Sequence, residues 1–318
     1  MSHWGIVGAG AWGTALALFA DRAGHKVRLW ARDPARRRAL AASRENPRLP
    51  GFPLPPAIVI ADDPSLPEAE FLLLAVPVQH LRAVAGTISP AGRPLIAAAK
   101  GMESGTGLMP LEILAALHPT VPAAVLTGPN FAAEIAAGLP AASVLAAADP
   151  GLRKTLLRAL AGPGFRLYGN EDPFGAQVGG AAKNVIAIAA GAVTGAGLGE
   201  NARAALITRG LAELSRLVVA LGGKRETSFG LSGLGDLLLT CTGRASRNFR
   251  TGLALGRGEA PAIEGVAEGV ATAPALVSRA ARAGCEVPIA DSVARLLAGR
   301  ITLLEATAAL LARPQKDE

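Results

Sequence analysis

Six lysines stand against 26 arginines in this 318-residue chain, and two of the six lie where a solvated cation is out of place. Lys100 closes the apolar run PLIAAAKG, and Lys183 sits inside GGAAKNVIAIAAG. Desolvation lowers the pKa of an ammonium, so a lysine in such a setting can give and take a proton where arginine stays charged. The plain alternative for each is a stem that packs and a head that reaches water. Two such lysines in so arginine-rich a chain favour the chemical reading. Further on, the glycine-rich GLSGLGD delivers Asp236 directly before Leu237, Leu238 and Leu239. Asp236 is either a helix cap or a carboxylate that orients the Lys183 ammonium. The triplet Ser246, Arg247, Asn248 follows. If Ser246 caps a helix, the free N–H groups at the helix start, the hydroxyl, the guanidinium and the amide converge on one anion. Otherwise it is an ordinary capped helix with a surface arginine.

These groups need a scaffold, and the N-terminus supplies the first part of one. In HWGIVGAGAWGTALALFA, from His3 to Ala20, a short apolar run feeds into Gly8, Gly10 and Gly13 and then an Ala/Leu-rich helix. Gly8 permits the tight turn, Gly10 lets backbone approach a pyrophosphate, and Gly13 lets the helix pack closely on the strand. A second strand over His25–Trp30 ends at Ala31, Arg32 and Asp33. Asp33 precedes Pro34 and reads as a ribose ligand or as an N-cap. Arg32, backed by Arg36, Arg37 and Arg38, could hold a 2′-phosphate, which points to NADP at least as readily as to NAD. A solvated basic helix face is the other reading of Arg36 and Arg38.

Apolar runs at 57–60, 71–76, 95–99 and 123–126 alternate with helix-like segments, which predicts a doubly wound, mainly parallel sheet. Loops at the carboxyl ends of its strands, at 76–78, 100–101 and 127–130, should surround the ligand. From about Gln177 the pattern turns helical, as over 202–221 and 271–283. The expected organisation is α/β: a Rossmann-type dinucleotide-binding domain over 1–176 and an all-helical substrate-binding domain over 177–318, with a cleft between them to exclude water.

Half of the residues are hydrophobic and only 4% aromatic, so the core must be built mainly from Ala, Leu and Val. The net charge of +7 comes from scattered basic residues without an aromatic-interleaved stripe, which argues for anionic small molecules and against nucleic acid. The uncharged stretch from Ile113 to Ala133 is broken by Pro119, Pro122 and Pro129 and reads as loop, strand and loop, so no stable membrane insertion is expected. No signal peptide is visible, and Cys241 and Cys285 form no CxxC or Cys/His pattern. A cytoplasmic setting without a metal is therefore expected.

The segments GAGAWGTALA, AVPVQH, AAKG, TGPNFAAEIAAGLPAA, QVGGAAKNVIAIAAG, NARAALITRGLAE, GLSGLGDLLLTCTGRASRN and VAEG, in this order over essentially the whole chain, resemble the bacterial type of NAD(P)-dependent glycerol-3-phosphate dehydrogenase. The resemblance implies reduction of dihydroxyacetone phosphate to sn-glycerol 3-phosphate by hydride from NADH or NADPH, with NADPH expected to be accepted, to supply phospholipid backbones in the cytoplasm. It makes Lys183 the proton donor and acceptor. It puts Lys100 and Asn184 around the reacting carbonyl and Gly128 and Asn130 on the substrate, and it gives Asp236, Ser246, Arg247 and Asn248 the substrate and its phosphate. Alongside Gly8, Gly10 and Gly13, it implies dinucleotide contacts from Ala11, Trp12, Arg32, Lys100, Ala132, Arg247, Val266 and Glu268; Arg37 joins them on the 2′-phosphate argument. Asn130 stands where the family often has Ser or Thr, and Trp12 where Tyr or Phe is common. A homodimer is left open. Two other readings are a dinucleotide sensor without catalysis, which has no use for Lys183, Asp236 and the Ser-Arg-Asn triplet together, and a related 3-hydroxyacid or 6-phosphogluconate-type dehydrogenase.

Overall fold

The computed structural model describes residues 1–260 and 267–312. The chain divides into two compact units, one of Met1–Lys100 with Leu108–Gln177, the other of Gly101–Gly107 with Val178–Glu318. A single cut after residue 176 misses the 101–107 excursion. That segment belongs with the helical unit because Met102 N donates to Thr272 Oγ1 at 3.4 Å and Arg279 Nη1 donates to Gly107 O at 2.8 Å.

In the first unit, β1 (His3–Val7), α1 (Ala11–Arg22), β2 (Lys26–Trp30), α2 (Pro34–Ser43) and β3 (Val59–Ala61) form one half of a doubly wound sheet. The other half comes from β4 (Phe71–Leu74), α3 (Val78–Ala85), β5 (Leu95–Ala97), α4 (Pro110–Leu117) and β6 (Ala123–Thr127). It is extended by α5 (Ala132–Ala136), β7 (Ala141–Ala146), α6 (Pro150–Ala159) and β8 (Phe165–Asn170). The strand order is β3-β2-β1-β4-β5-β6-β7-β8, parallel throughout except where β7 runs against β6. The order reverses between β1 and β4, which is where such sheets open a crevice for ligands. Strands buried on both faces read as continuous apolar runs, and FLLL of β4 is fully buried. The core packs Trp4 edge-on to Phe71 and Phe19, with the Trp4 indole N–H donating to Ala159 O at 3.2 Å.

Three of the anticipated strands are shifted or shorter: Val59–Ala61, Phe71–Leu74 and Leu95–Ala97. The first is shifted toward its carboxyl end, and the other two end early, where the chain turns into the ligand-side loops. Ile113 lies in the middle of α4, not in a loop, so the uncharged stretch begins as helix before β6. Two strands escaped the sequence reading: AASVLA in β7, half of it alanine, and FRLYGN in β8, where Arg166, Gly169 and Asn170 interrupt the apolar residues.

The second unit is helical: α7 (Pro173–Gly195, begun in the first), α8 (Gly199–Ala220), α9 (Asp236–Thr242), α10 (Arg247–Gly256), α11 (Glu268–Arg282), α12 (Pro288–Leu297) and α13 (Leu303–Leu311). Among the described residues α7 is the one helix long and apolar enough to cross a membrane, and 78% of its most apolar window is buried inside the protein, as a core helix requires. Glycines let its neighbour come to backbone contact. A Cβ on Gly252 of α10 would lie 1.9 Å from Ile188 O, and one on Gly195 of α7 would lie 2.2 Å from Leu253 O. The reciprocal pairs Gly191/Gly195 and Gly252/Gly256 thus fix this crossing.

Candidate active site

The glycine turn after β1 has the geometry its sequence demands. Gly8 holds a φ of 116°, and a Cβ there would meet Ala75 O at 2.6 Å; a Cβ on Gly13 would lie 1.9 Å from Gly8 O. Gly10 differs. Its φ is an ordinary −75°, and the nearest atom to a Cβ there is Ala75 O at 3.9 Å, so neither backbone nor packing requires glycine. The missing side chain leaves room for something outside the protein. Gly10 is also the N-cap of α1, which has no side-chain cap and no acidic residue in its first turn, so orphan N–H groups and the helix dipole favour an anion there. Ala11 and Trp12, both partly exposed, open that helix. These residues fit a dinucleotide pyrophosphate.

At the end of β2, Asp33 is an N-cap, its Oδ1 accepting from Ala35 N at 2.9 Å, with Pro34 at the first helical position. Arg32 is exposed there and so is Arg38. Arg37 is engaged rather than open. Its Nη1 donates to Ala31 O at 2.8 Å and to Arg32 O at 3.2 Å, its Nε pairs with Asp62 Oδ1 at 3.2 Å, and its guanidinium lies over the Trp30 ring. Arg36 leaves the solvated face proposed as one reading of it and turns inward, where Nη2 donates to Ala9 O and to Asn46 Oδ1, both at 2.7 Å. Burial lowers its pKa from the ordinary value, and its Nε–H is buried without a partner among the described residues.

The end of β6 carries a second polar cluster in the first unit. Lys100 Nζ donates to Gly128 O at 2.9 Å. Gly128 has a φ of 144°, and a Cβ there would crowd Ser143 Cα at 3.0 Å. Asn130 Nδ2 donates to Ser143 Oγ at 2.5 Å, while Asn130 Oδ1 and Thr127 Oγ1 are buried without partners among the described residues. Buried acceptors and hydroxyls in that state mark a place where a polar ligand has bonds to make. Ala132 begins α5 beside them.

In the helical unit Lys183, 7% exposed on α7, meets Asp236, 0% exposed at the start of α9. Lys183 Nζ donates to Asp236 Oδ1 in a short ion pair and to Thr240 Oγ1 at 2.9 Å. Thr240 Oγ1 in turn donates to Asp236 O at 2.6 Å, so the ammonium is held by a carboxylate and an oriented hydroxyl. The segment before Asp236 is a π-helical turn, Leu231–Gly235, in which Gly233 lies against Ser228 O and Gly179 of α7 against Ser232 O. Close backbone packing is therefore what GLSGLG achieves in bringing Asp236 to α7. Cys241, next along α9, is fully buried, and burial pushes its thiol up to about 12.

Ser246 caps α10, its Oγ accepting from Phe249 N at 3.2 Å. Arg247 is exposed at the first helical position. Asn248 does not aim its amide beside them: Nδ2 donates to Asn184 Oδ1 at 2.9 Å, and Oδ1 accepts from Gly269 N at 3.0 Å. It therefore ties α10 to α7 and α11 and fixes Asn184, the residue after Lys183. The expected convergence of hydroxyl, guanidinium and amide on one point is replaced by this tie, because Asn248 is buried and must satisfy its amide internally. Glu268 begins α11, and Val266 lies outside the described residues.

Two family models match in tandem: the N-terminus of NAD-dependent glycerol-3-phosphate dehydrogenase over residues 4–152 and its C-terminus over 172–308. The chain belongs to this family. It is 57% identical over 317 residues to a glycerol-3-phosphate dehydrogenase [NAD(P)+] of Acidiphilium cryptum, covering 99% of this chain and 98% of that one. A counterpart from Bradyrhizobium sp. is 51% identical, covering 98% and 97%. The crystal structure of glycerol-3-phosphate dehydrogenase from Coxiella burnetii superposes with a TM-score of 0.92 at 39% identity, covering 98% of this chain and 99% of that one.

For a member of the dehydrogenase family, two parts of this arrangement lay beyond the sequence reading. Thr240 shares the Lys183 ammonium with Asp236, and its signal was its place four residues after Asp236, one helical turn on, along the same face. Asn46 reaches the glycine turn from the loop after α2 with no local signal at all.

Proposed function

We propose that this protein interconverts dihydroxyacetone phosphate and sn-glycerol 3-phosphate with NAD or NADP as hydride carrier. The observation that carries this reading is the buried ammonium of Lys183, held by Asp236 and Thr240, in a chain that matches the dehydrogenase family from end to end. A bound nicotinamide supplies the hydride. Lys183 does the rest of the proton chemistry. Its ammonium stabilises the oxygen of the ketone as negative charge develops there and then donates a proton to it, leaving a neutral amine that regains a proton from water. In the oxidation direction the same amine accepts the hydroxyl proton. Asp236 and Thr240 keep Nζ in one position.

We assign Lys100, Gly128, Asn130 and Asn184 to the substrate, and Ser246 and Arg247 to its phosphate. Arg247 is the exposed fork at a capped helix start, where an anion is favoured; Asn248 serves by fixing Asn184. The dinucleotide falls to Gly8, Gly10, Ala11, Trp12, Gly13, Lys100, Ala132, Arg247, Val266 and Glu268, with Arg32 the residue for a 2′-phosphate. Arg37 contributes by bracing the backbone of Ala31 and Arg32. The free thiols of Cys241 and Cys285 suit a reducing cytoplasm, and a homodimer is the assembly to look for by light scattering.

The test is consumption of NADH or NADPH with dihydroxyacetone phosphate, unphosphorylated dihydroxyacetone, and the oxo-acid partners of 3-hydroxyacid and 6-phosphogluconate-type dehydrogenases. Rapid turnover of the first alone supports the reading. Turnover of an oxo acid in its place, or dinucleotide binding without any turnover, overturns it.

A further inference from the structure

The glycine turn is gripped from outside by residues that are not part of its motif. Asn46, 2% exposed in the loop after α2, donates from Nδ2 to Ala9 O at 3.2 Å and to Thr14 Oγ1 of α1 at 2.6 Å. Its Oδ1 accepts from Arg36 Nη2 at 2.7 Å and from Arg48 N at 3.1 Å. The same Arg36 Nη2 donates to Ala9 O at 2.7 Å. One carbonyl, Ala9 O, thus takes two side-chain donors, one of them charged.

That carbonyl belongs to the peptide joining Ala9 to Gly10, which is trans, and in a trans peptide the C=O and the N–H point in opposite directions. Holding Ala9 O on the side of Arg36 and Asn46 therefore turns Gly10 N–H to the opposite side. The peptide lies between Gly8 and Gly10, residues with the greatest backbone freedom. Rotated by half a turn, it would present a carbonyl oxygen where it had presented a donor, and the turn would repel an anion.

We propose that Arg36 and Asn46 are positioning residues for dinucleotide binding: they lock the Ala9–Gly10 peptide in the orientation whose N–H serves the pyrophosphate. The role is indifferent to the 2′-position of the ribose, unlike that assigned to Arg32. It rests on the reading of the chain as an NAD(P)-dependent enzyme.

The experiment titrates the full-length wild type, Arg36→Met and Asn46→Ala with NADH and with NADPH by calorimetry, beside thermal melts. The dissociation constants of both dinucleotides should rise by one common factor in Arg36→Met, on the order of ten- to a hundredfold, as loss of a charge-assisted hydrogen bond implies. The KM for dihydroxyacetone phosphate at saturating NADPH should stay within about twofold, and Arg36→Lys should recover part of the affinity because it keeps the charge and one donor. A fall in melting temperature with both dissociation constants unchanged would make the clamp mere architecture and overturn the proposal. Loss confined to NADPH would overturn it too, by making Arg36 a 2′-phosphate ligand. Should Arg36→Met fail to fold, Arg36→Lys carries the same prediction with a smaller common factor. Wild type that binds neither dinucleotide sinks the functional reading itself; wild type that binds while Arg36→Met binds equally well sinks the clamp alone.

Discussion

Replacing Lys183 by Met removes one half of a buried ion pair, and the structure says what that does to stability as well as to chemistry. Asp236 is 0% exposed and its Oδ1 faces Lys183 Nζ. Without the ammonium the buried carboxylate loses its ion-pair partner, and breaking a buried pair from one side costs about 3–5 kcal/mol, or roughly a hundred- to a few thousandfold in the folded-to-unfolded ratio. Turnover should fall by about 10² to 10⁴ from loss of the proton donor alone, and further because the same group stabilises the developing oxyanion. The two effects separate in the double variant Lys183→Met/Asp236→Asn. The amide keeps the shape of the carboxylate and carries no charge, so most of the lost stability should return, while activity should not. The assay pairs urea unfolding of the wild type and the two variants with steady-state rates on dihydroxyacetone phosphate and with NADPH titration. NADPH affinity should be nearly intact, because the glycine turn at residues 8–13 belongs to the other compact unit. Activity above roughly a tenth of wild type in either variant would remove Lys183 from the mechanism. A single variant as stable as wild type would refute the reasoning about the pair.

Three further outcomes follow from the geometry. Arg32→Ala should weaken NADPH by roughly tenfold or more and leave NADH nearly unchanged, as expected for a charge-assisted phosphate contact worth about 1.5–3 kcal/mol, and the preference should fade with salt; equal losses in titrations of the two cofactors would make Arg32 a general surface charge. Arg247→Ala should raise KM for dihydroxyacetone phosphate far more than for dihydroxyacetone, and lower kcat as well, because binding energy from a remote group also orients the ketone; the same factor with both substrates, with NADPH affinity measured separately, would move the phosphate site elsewhere. Gly10→Ala should keep the wild-type melting temperature while losing dinucleotide affinity, since no protein atom lies closer than 3.9 Å to the added Cβ, whereas Gly13→Ala, with Gly8 O at 1.9 Å, should lose stability; equal melting temperatures for the two would contradict the packing.

Legibility in the sequence followed locality. Gly8 is demanded by its own positive φ and Gly13 by Gly8 O five residues back, so the turn, the first strand and the first helix could be read directly, while the approach of Ala75 O to Gly8 could not. Lys183 and Asp236 are 53 residues apart, yet each betrayed itself by being a charged group bordered by apolar neighbours, and pairing was the way to satisfy both. Asn248 could be located but not aimed, because its amide partners, Asn184 and Gly269, come from two other helices. Arg36 read as one of three consecutive arginines that either back a 2′-phosphate site or face solvent. Only the return of the chain at Asn46 gives it an inward destination, and nothing local to either residue encodes that contact. The 101–107 excursion stayed hidden for the same reason, since it depends on Thr272 and Arg279 far along the chain. Strands β7 and β8 were missed because the alanines of one, and Arg166, Gly169 and Asn170 of the other, interrupt the apolar run by which a strand is read.

The central claim is that this chain acts on one phosphorylated three-carbon alcohol through its own Lys183. Its most direct measurement runs the reaction in the oxidation direction, following formation of NADH and NADPH from sn-glycerol 3-phosphate, from sn-glycerol 1-phosphate and from unphosphorylated glycerol, with wild type and Lys183→Met side by side. The account predicts reduced cofactor from sn-glycerol 3-phosphate with wild type, little from its enantiomer or from glycerol, and a loss of about 10² to 10⁴ in the variant. Equal rates with the two enantiomers, no reaction with either, or an undiminished rate in Lys183→Met would contradict it.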